Sequence, residues 1–302
     1  MTRLLEVRNV SKRFNMGGLL SRKSVNAVVD AGFALNSETP EIFTIIGESG
    51  SGKTTLARMI LGLERPSAGD ILFDGQSTDT VRSRAERLAF MRKVQPVFQN
   101  PFETFNPLKK VDRYLYTSAR MLLGAKTEAE QEKAIDGALQ KVGLSLKEIK
   151  GRFAHELSGG QLQRVAIARA LITEPSLLIA DEPVSMVDAS LRMSIVNLLR
   201  DLRDRLGVCV IYITHDLATA YYISDRLMIM QKGYIVEMGP ARAILDNPEH
   251  PYSKLLKASV LPIDDAGHGN LEPADRSVAN AAWSSAGSGA MQERADGRLV
   301  RG

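Results

Sequence analysis

IFTIIGESGSGKTTL, residues 42–56 of this 302-residue chain, joins an apolar run to a glycine-rich turn and then to helix-forming residues. This order predicts a short buried strand, a tight turn and the first turn of a helix. Gly47, Gly52, Lys53 and Thr54 match the spacing G-x-x-x-x-G-K-[ST], in which glycines let the backbone curl around a phosphate. The following helix would add unpaired N–H groups and partial positive charge. The segment therefore predicts a nucleoside triphosphate site.

The side chains of this loop suit a triphosphate and its metal. Lys53 would place its charge on the β- and γ-phosphates, and the Thr54 hydroxyl would bind Mg²⁺. The alternative is a glycine turn without function, and about one chain in a hundred of this size would match the four fixed positions by chance. The candidate nucleotide-binding residues of the loop are Gly47, Glu48, Ser49, Gly50, Ser51, Gly52, Lys53, Thr54 and Thr55.

The composition, 44% hydrophobic and 25% charged, is that of an ordinary globular protein. A net charge of +4 is mild, so we expect no nucleic-acid partner, which usually requires a concentrated basic face. The single cysteine, Cys209, lies in the apolar run VCVIYI and suits a core position in a reducing compartment. Neither a signal peptide nor a run of about 20 apolar residues is evident. At a membrane, another chain would have to hold this one.

The first hundred residues predict an antiparallel sheet beside the loop. Residues 3–10 and 27–35 alternate as strands do, and a polar loop between them carries Phe14. Phe14 could be a minor core residue or could stack on an adenine ring, and position alone leaves both readings open. Residues 70–73 predict a strand closed by the turn pair Asp74-Gly75. The basic stretch 80–95 favours a solvated amphipathic helix over a binding patch.

A helical region follows the predicted strand VQPVFQ at 94–99. Helical spacing of apolar residues over 111–124 and 128–144, with Thr127 as an N-cap, predicts helices inserted into an α/β core. The next helix is expected to be amphipathic, with Arg164 and Arg169 on its polar side.

Ser158, Gly159 and Gly160 precede this helix. They could form a second anion site or a plain N-cap, and the residues alone favour the cap.

Two further strands end in functional side chains. LLIADE, residues 177–182, is apolar without alternation, which predicts a central parallel strand whose carboxyl end lies at a ligand site. Asp181 would hold Mg²⁺, and Glu182 would orient or deprotonate the attacking water. His215 follows the strand at 208–214 and could contact the γ-phosphate, although a lone histidine is usually structural. A hairpin is expected around Lys232-Gly233.

The order of these motifs resembles the ATP-binding subunits of ABC transporters. The resemblance covers residues 4 to about 240 and rests on the phosphate loop, Gln99, LSGGQ at 157–161, LLIADE, Asp188 and His215. It implies an α/β fold: a P-loop NTPase (RecA-like) core with an antiparallel β edge subdomain and an inserted α-helical subdomain at about 100–164. It also implies ATP and Mg²⁺ as cofactors.

The same resemblance implies residue roles. The catalytic residues would be Glu182, His215, Gln99 and Lys53, and the metal residues Thr54, Gln99 and Asp181. Phe14 matches the aromatic residue that stacks on adenine. Ser158, Gly159, Gly160 and Gln161 would cap the ATP held by a facing subunit. Asp188 is retained in a family motif that reads Ser185-Met186-Val187-Asp188 here, although Met186 and Val187 depart from the commoner Ala-Leu.

Two segments resemble the ATPases of oligopeptide and dipeptide importers more narrowly: VFQNPFETFNP at 97–107 and NPEHPYSKLLKASV at 247–260. The cysteine-rich end of that subfamily is missing, so we expect no iron–sulfur cluster. We expect an ABC ATPase domain at 1–262, with a C-terminal extension at about 241–262. A loosely ordered tail at 263–302 would follow, with Trp283 as its one large anchor.

The resemblance implies a peripheral position on the cytoplasmic face of the inner (plasma) membrane. The implied partners are two integral-membrane permease subunits, a second ABC ATPase subunit of a different sequence and, indirectly, an extracytoplasmic solute-binding protein. Phe102 and Phe105 are the candidate permease contacts. Oligosaccharides or other small solutes stay open as cargo. A weakly active cassette in a heterodimeric ATPase pair is a further alternative. The most serious rival is a non-catalytic regulatory cassette, and Glu182 argues against it.

Overall fold

The computed structural model describes residues 2–15, 24–81, 83–100, 104–185, 187–258 and 289–302. The strands in these ranges are β1 (Arg3–Asn15), β2 (Ser24–Asn36), β3 (Ile42–Ile46), β4 (Ala68–Phe73), β5 (Gln76–Ser77), β6 (Val94–Val97), β7 (Leu177–Asp181), β8 (Cys209–Thr214), β9 (Arg226–Gln231), β10 (Tyr234–Pro240), β11 (Met291–Glu293) and β12 (Leu299–Arg301).

Helices connect and cover these strands. They are α1 (Lys53–Ile60), α2 (Arg84–Lys93), α3 (Asp112–Ser118), α4 (Glu128–Lys141), α5 (Leu146–Ile149), α6 (Gly159–Leu171), α7 (Ala189–Leu206), α8 (Leu217–Ile223), α9 (Ala241–Asp246) and α10 (Pro251–Ala258). In the ranges above, no helix is both long enough and apolar enough to cross a bilayer.

The larger sheet has the strand order β11-β12-β10-β9-β3-β8-β7-β6, and its strands β9, β3, β8, β7 and β6 are parallel. Successive residues of β7 alternate between two apolar clusters. Leu178 packs with the helices on one face, and Ile179 packs with β3 and the smaller sheet on the other. Because both faces are covered, the strand is apolar without alternation, and the predicted central strand is confirmed.

The smaller sheet is antiparallel, with the order β2-β1-β4-β5, as the sequence predicted. Phe33 of β2 stacks on Phe43 of β3 with ring centroids 4.7 Å apart, which joins the two sheets. The predicted loop around Phe14 is shorter than expected. Strand β1 continues to Asn15, and Phe14 pairs with Val25. The pairing of β1 with β2 thus runs beyond the residues 3–10 and 27–35, whose alternation predicted the two strands.

The helical subdomain is present between β6 and β7. Thr127 caps α4 through a reciprocal pair of hydrogen bonds with Glu130, as expected. Helix α6 is buried on most sides, and Arg164 and Arg169 are among its few half-buried residues. Arg164 donates to the carbonyl oxygen of Val142 at 3.0 Å, and burial lowers the pKa of the Arg169 guanidinium. Because α4 and α7 pack against this helix, the polar side that carries the two arginines is half-buried.

The C-terminal residues 289–302 also depart from expectation. Strands β11 and β12 form a hairpin, and β12 pairs with β10 through Glu237 to Val300 and Met238 to Leu299. A loosely ordered tail is therefore the wrong description of 289–302, because β10 offers a free edge to pair with. Trp283 lies outside the described residues, and the domain boundaries stay predictions.

Candidate nucleotide-binding site

The glycine-rich loop connects β3 to α1 at the carboxyl end of the sheet. Gly50 and Gly52 have φ values of +82° and +105°, which side-chain-bearing residues rarely adopt. A Cβ atom on Gly52 would lie 2.2 Å from the carbonyl oxygen of Ala27, whereas one on Gly50 would meet open space. The loop therefore needs glycine at position 52 for two reasons, and at position 50 for conformation alone.

Lys53 is 6% exposed and folds back over the loop that precedes it. Its Nζ donates to the carbonyl oxygens of Gly47 at 2.7 Å and Glu48 at 2.8 Å. Burial lowers the pKa of this ammonium, and the nearby carboxylates of Glu182, Asp181 and Glu48 oppose that effect. The buried ammonium of Lys53 thus bonds to two neutral carbonyl oxygens. A charged phosphate would be a stronger partner for it.

Glu182 lies directly after β7, and each of its oxygens has a partner. Gln99 Nε2 donates to Oε2 at 2.9 Å, and His215 Nδ1 lies 3.2 Å from Oε1. The backbone of Glu182 has φ +47°, and its N–H donates to the carbonyl oxygen of Ile213 at 2.9 Å. That bond holds Glu182 at the end of β7. The backbone leaves the strand at this residue, and the carboxylate lies in the cleft beside the glycine-rich loop.

Asp181 is the last residue of β7 and is placed for a metal role. Burial raises the pKa of its carboxyl group, a hydrogen bond from Thr54 lowers it, and Glu182 raises it again. A buried carboxylate beside a threonine hydroxyl is an oxygen donor set of the kind Mg²⁺ prefers when phosphate oxygens and water complete its shell. Across the described ranges, no three His, Cys, Asp or Glu side chains could hold a metal by themselves. These donors fit a magnesium ion bound together with phosphate.

A cleft of about 640 Å³ brings nine of the predicted residues together. The predicted residues that line it are Ser49, Gly50, Gly52, Lys53, Thr54, Thr55, Gln99, Glu182 and His215. Sequence reasoning missed four others: Val25, Asn26 and Ala27 of β2, and Lys232 at the turn between β9 and β10. The turn pair Lys232-Gly233 was the only sequence signal near them, because their position depends on how β2 crosses the loop.

Other predicted residues lie outside this cleft. Ser158 and Gln161 form a reciprocal cap on α6: Ser158 Oγ accepts from Gln161 N at 3.2 Å, and Gln161 Oε1 accepts from Ser158 N at 3.0 Å. Gly159 and Gly160 belong to the same turn. Asp188 immediately precedes α7 and is exposed.

Phe14, Ser51 and Glu48 are also predicted residues that do not line the cleft. Phe14 is half-buried, and Lys12 Nζ lies 5.0 Å from its ring centroid. Ser51 is 1% exposed, and its hydroxyl has no partner among the described residues. Glu48 turns its backbone N–H away from the cleft, towards Tyr252.

The glycine-rich loop, the carboxylates at the end of β7 and the capped first turn of α6 define an ATPase of the ABC transporter class. This chain belongs to the ABC transporter family, whose profile matches residues 31–185. The profile described as the C-terminal region of oligopeptide/dipeptide transporters matches residues 236–288. The chain is an ATP-hydrolysing protein that uses ATP and Mg²⁺.

Several named proteins are similar to this chain. The oligopeptide transport ATP-binding protein AmiF of Streptococcus pneumoniae is 40% identical over 263 residues, which cover 87% of this chain and 83% of that protein. The oligopeptide transport ATP-binding protein OppF of Bacillus subtilis is 38% identical over 263 residues, with 87% and 84% covered.

A solved structure agrees with the fold. The ATP-binding cassette MJ0796, in a dimeric post-hydrolysis state bound to ADP and Pi, superposes with a TM-score of 0.69 at 27% identity, covering 79% of this chain and 99% of that one. The predicted fold class is confirmed.

Proposed function

We propose that this chain powers the uptake of oligopeptides or dipeptides as the ATPase subunit of a membrane importer. The importer profile over residues 236–288 and the relatives called oligopeptide transport proteins support the cargo class. The observation that carries the catalytic part is Glu182, bonded to Gln99 and His215 in the same cleft as Lys53. Oligosaccharides and other small solutes are the alternative cargo.

The proposed roles follow from the geometry. Lys53 exchanges its bonds to two loop carbonyls for the β- and γ-phosphates, which gives its buried charge a stronger partner. Thr54 and Asp181 hold Mg²⁺, which neutralises charge on the phosphates when it is bound. Glu182 accepts the proton of the attacking water or orients it, and such a base contributes about 10²–10⁴ in rate. Gln99 keeps this carboxylate aimed into the cleft.

A second ATPase subunit completes the site in this proposal. The turn Ser158–Gln161 presents a helix N-terminus outside the chain's own cleft, where it suits the ATP of a facing subunit. Asp188 immediately precedes the neighbouring helix α7 and would lie near the same seam. The dimeric state of the similar cassette MJ0796, bound to ADP and Pi, supports this arrangement. Phe14, which is half-buried, remains our candidate for stacking on adenine.

The permease partner is proposed to dock in a groove of about 660 Å³ lined partly by α2 and the residues after α3. We call it the apolar groove, defined by Leu63, Met91, Phe98 and Met121, which are each 40–50% exposed. These side chains have apolar surface that a membrane-protein helix could cover.

The structure removes one of the two residues that the sequence predicted as permease contacts. Phe105 is fully buried, with its ring edge-on to Tyr114 at 5.2 Å, so it cannot be a docking contact. The expectation failed because an aromatic residue in a loop can equally fill the core beneath it. Phe102 lies outside the described residues. We place the chain on the cytoplasmic face of the membrane, held there by two permease subunits that receive cargo from a solute-binding protein.

Comparing Glu182→Gln with the native chain in the assembled transporter tests the catalytic role. We expect ATP binding to persist and ATP turnover to fall about 10²–10⁴-fold. Asp201→Asn, which removes an exposed carboxylate 3.6 Å from Arg205 on α7, is the control and should leave turnover unchanged. Normal turnover in Glu182→Gln would rule out the catalytic role of Glu182.

Uptake of labelled di- and oligopeptides, with oligosaccharides as competitors, tests the cargo. Competition by sugars alone would favour the alternative cargo.

A further inference from the structure

The C-terminal extension touches the phosphate loop through one side chain. Tyr252, in the first turn of α10, is 4% exposed, and its hydroxyl oxygen accepts a hydrogen bond from the backbone N–H of Glu48 at 3.0 Å. Glu48 is the second residue of the loop that begins at Gly47. The tyrosine is thus bonded to the back of the loop, away from the cleft where the phosphates would lie.

The ring of Tyr252 is anchored beside the same loop. It belongs to an apolar cluster with Ile46, the last residue of β3, and with Ile229 and Ile244. The backbone N–H of Tyr252 donates to Nδ1 of His250 at 3.1 Å. Burial raises the pKa of the Tyr252 phenol to about 12, so the hydroxyl stays protonated and uncharged at physiological pH. The bond to the loop is therefore available at any pH where the transporter works.

The segment that carries Tyr252 is itself clamped. The buried carboxylate of Glu237 on β10 accepts the backbone N–H groups of Glu249 at 3.1 Å and His250 at 3.2 Å. Arg298, between β11 and β12, donates to the carbonyl oxygen of Asn247 at 2.5 Å and to the carboxylate of Glu249 at 3.0 Å. The sheet and the C-terminal hairpin thus hold the segment from two sides, and Tyr252 has little freedom to follow the loop.

We infer that Tyr252 is a positioning residue for ATP binding, which rests on the phosphate-binding role proposed above for the loop. The backbone of the loop packs closely at Gly47 and Gly52, but a Cβ at Gly50 would meet nothing within 4 Å, so packing does not fix the middle of the loop. A bond from a clamped side chain to the N–H of Glu48 selects the curled loop before nucleotide arrives. Because the loop is already ordered before ATP binds, the entropic cost of ATP binding is lower.

Tyr252→Phe tests the inference because it removes only the hydroxyl. One neutral hydrogen bond is worth enough to weaken ATP binding about 3- to 10-fold, and we expect that loss in calorimetric titration of the full chain with Mg²⁺-ATP. In the assembled transporter, KM for ATP should rise by the same factor while kcat stays within about twofold, since the loop shape that the bond selects serves the bound ground state and the transition state alike. A merely structural role would not produce this split.

Hydrogen exchange gives a direct readout at the loop. The amides of residues 42–56 in the nucleotide-free chain should exchange faster in Tyr252→Phe than in the native chain. Tyr116→Phe is the matched control, since it also loses one hydroxyl bond, to Glu132 at 2.7 Å in the helical subdomain. It should change neither ATP affinity nor exchange at the loop.

The outcomes separate two failures. If the native chain binds ATP, Lys53→Ala abolishes that binding, and Tyr252→Phe binds as tightly as the native chain, the role of Tyr252 is wrong and the site stands. If Lys53→Ala leaves ATP binding intact, the proposed phosphate-binding role of the loop is wrong. Equal losses in Tyr252→Phe and Tyr116→Phe would show a general loss of stability and would also overturn the inference.

Discussion

His215 Nδ1 lies 3.2 Å from Oε1 of Glu182, while the other oxygen of that carboxylate accepts from Gln99. The histidine is otherwise exposed and lies after β8, so the contact comes from the meeting of two strand ends. A group in this position can orient the carboxylate and reach a phosphate across the cleft.

We predict that His215→Ala lowers kcat for ATP hydrolysis about 10²–10³-fold, the usual cost of removing one stabilising group from a transition state. ATP affinity should change little, because in the proposed site Lys53 and the loop amides would carry most of the binding. Steady-state ATPase assays on the assembled transporter measure both values. His155→Ala, at an exposed histidine outside the cleft, should behave as the native chain, and full activity in His215→Ala would contradict the prediction.

Gly52→Ala should be far more damaging than Gly50→Ala. Both positions have positive φ, which costs about 1–3 kcal/mol for a side-chain-bearing residue. Only the alanine at position 52 would also collide with a backbone carbonyl, that of Ala27, at 2.2 Å. We expect Gly50→Ala to fold with a modest loss of thermal stability and Gly52→Ala to lose both stability and ATP binding. Equal melting temperatures for the two variants would contradict this difference.

His250 makes the extension sensitive to acid. Burial lowers its pKa to about 4, below the ordinary value of about 6.5, so the unfolded chain binds this proton more readily. The folded state is therefore fully stable, as far as His250 is concerned, above the pKa of this histidine in the unfolded chain. That stability is lost as the pH falls from about 6.5 towards 4. The loss from this group at pH 5 relative to pH 8 should be about 2 kcal/mol.

His250→Asn provides the comparison, because the asparagine oxygen can still accept the N–H of Tyr252 without titrating. Denaturant unfolding at pH 8 and pH 5 measures the difference between the two chains. We expect the native chain to lose more stability on acidification than His250→Asn, and the same loss in both would exclude His250 as the cause.

Met121→Glu should disrupt permease docking without changing ATP binding. The side chain is 45% exposed in the apolar groove, and a docked membrane-protein helix would bury the new charge without a partner. We expect permease subunits to copurify poorly with this variant, while ATP binding by the isolated chain stays normal. Leu206→Glu, at an equally exposed leucine at the end of α7, is the matched control. Equal copurification of the two variants would show that the groove is not the docking face.

Features that depend on a few neighbouring residues were predictable. The glycine positions, the cap at Thr127 and the turn at Lys232-Gly233 each follow from local backbone chemistry. The central position of β7 followed from its uninterrupted apolar run, because only a strand covered on both faces can be apolar throughout.

Features that depend on distant partners were not predictable. Phe14 belongs to a strand because β2 continues beside it, and Phe105 is buried because Tyr114 packs against its ring. The hairpin at 289–302 exists because β10 has an edge to pair with, although its own composition suggests loose order.

The amino-acid sequence by itself determined that the chain would build a tight glycine-rich loop and set carboxylates at the end of a central strand, because glycine conformation and charge act within a few residues. Tertiary structure alone decided which groups surround that loop. Tyr252 reaches Glu48 across 204 positions of the chain, and β2 lies over Gly52, because buried surfaces and free strand edges are satisfied by whichever segment the fold brings near.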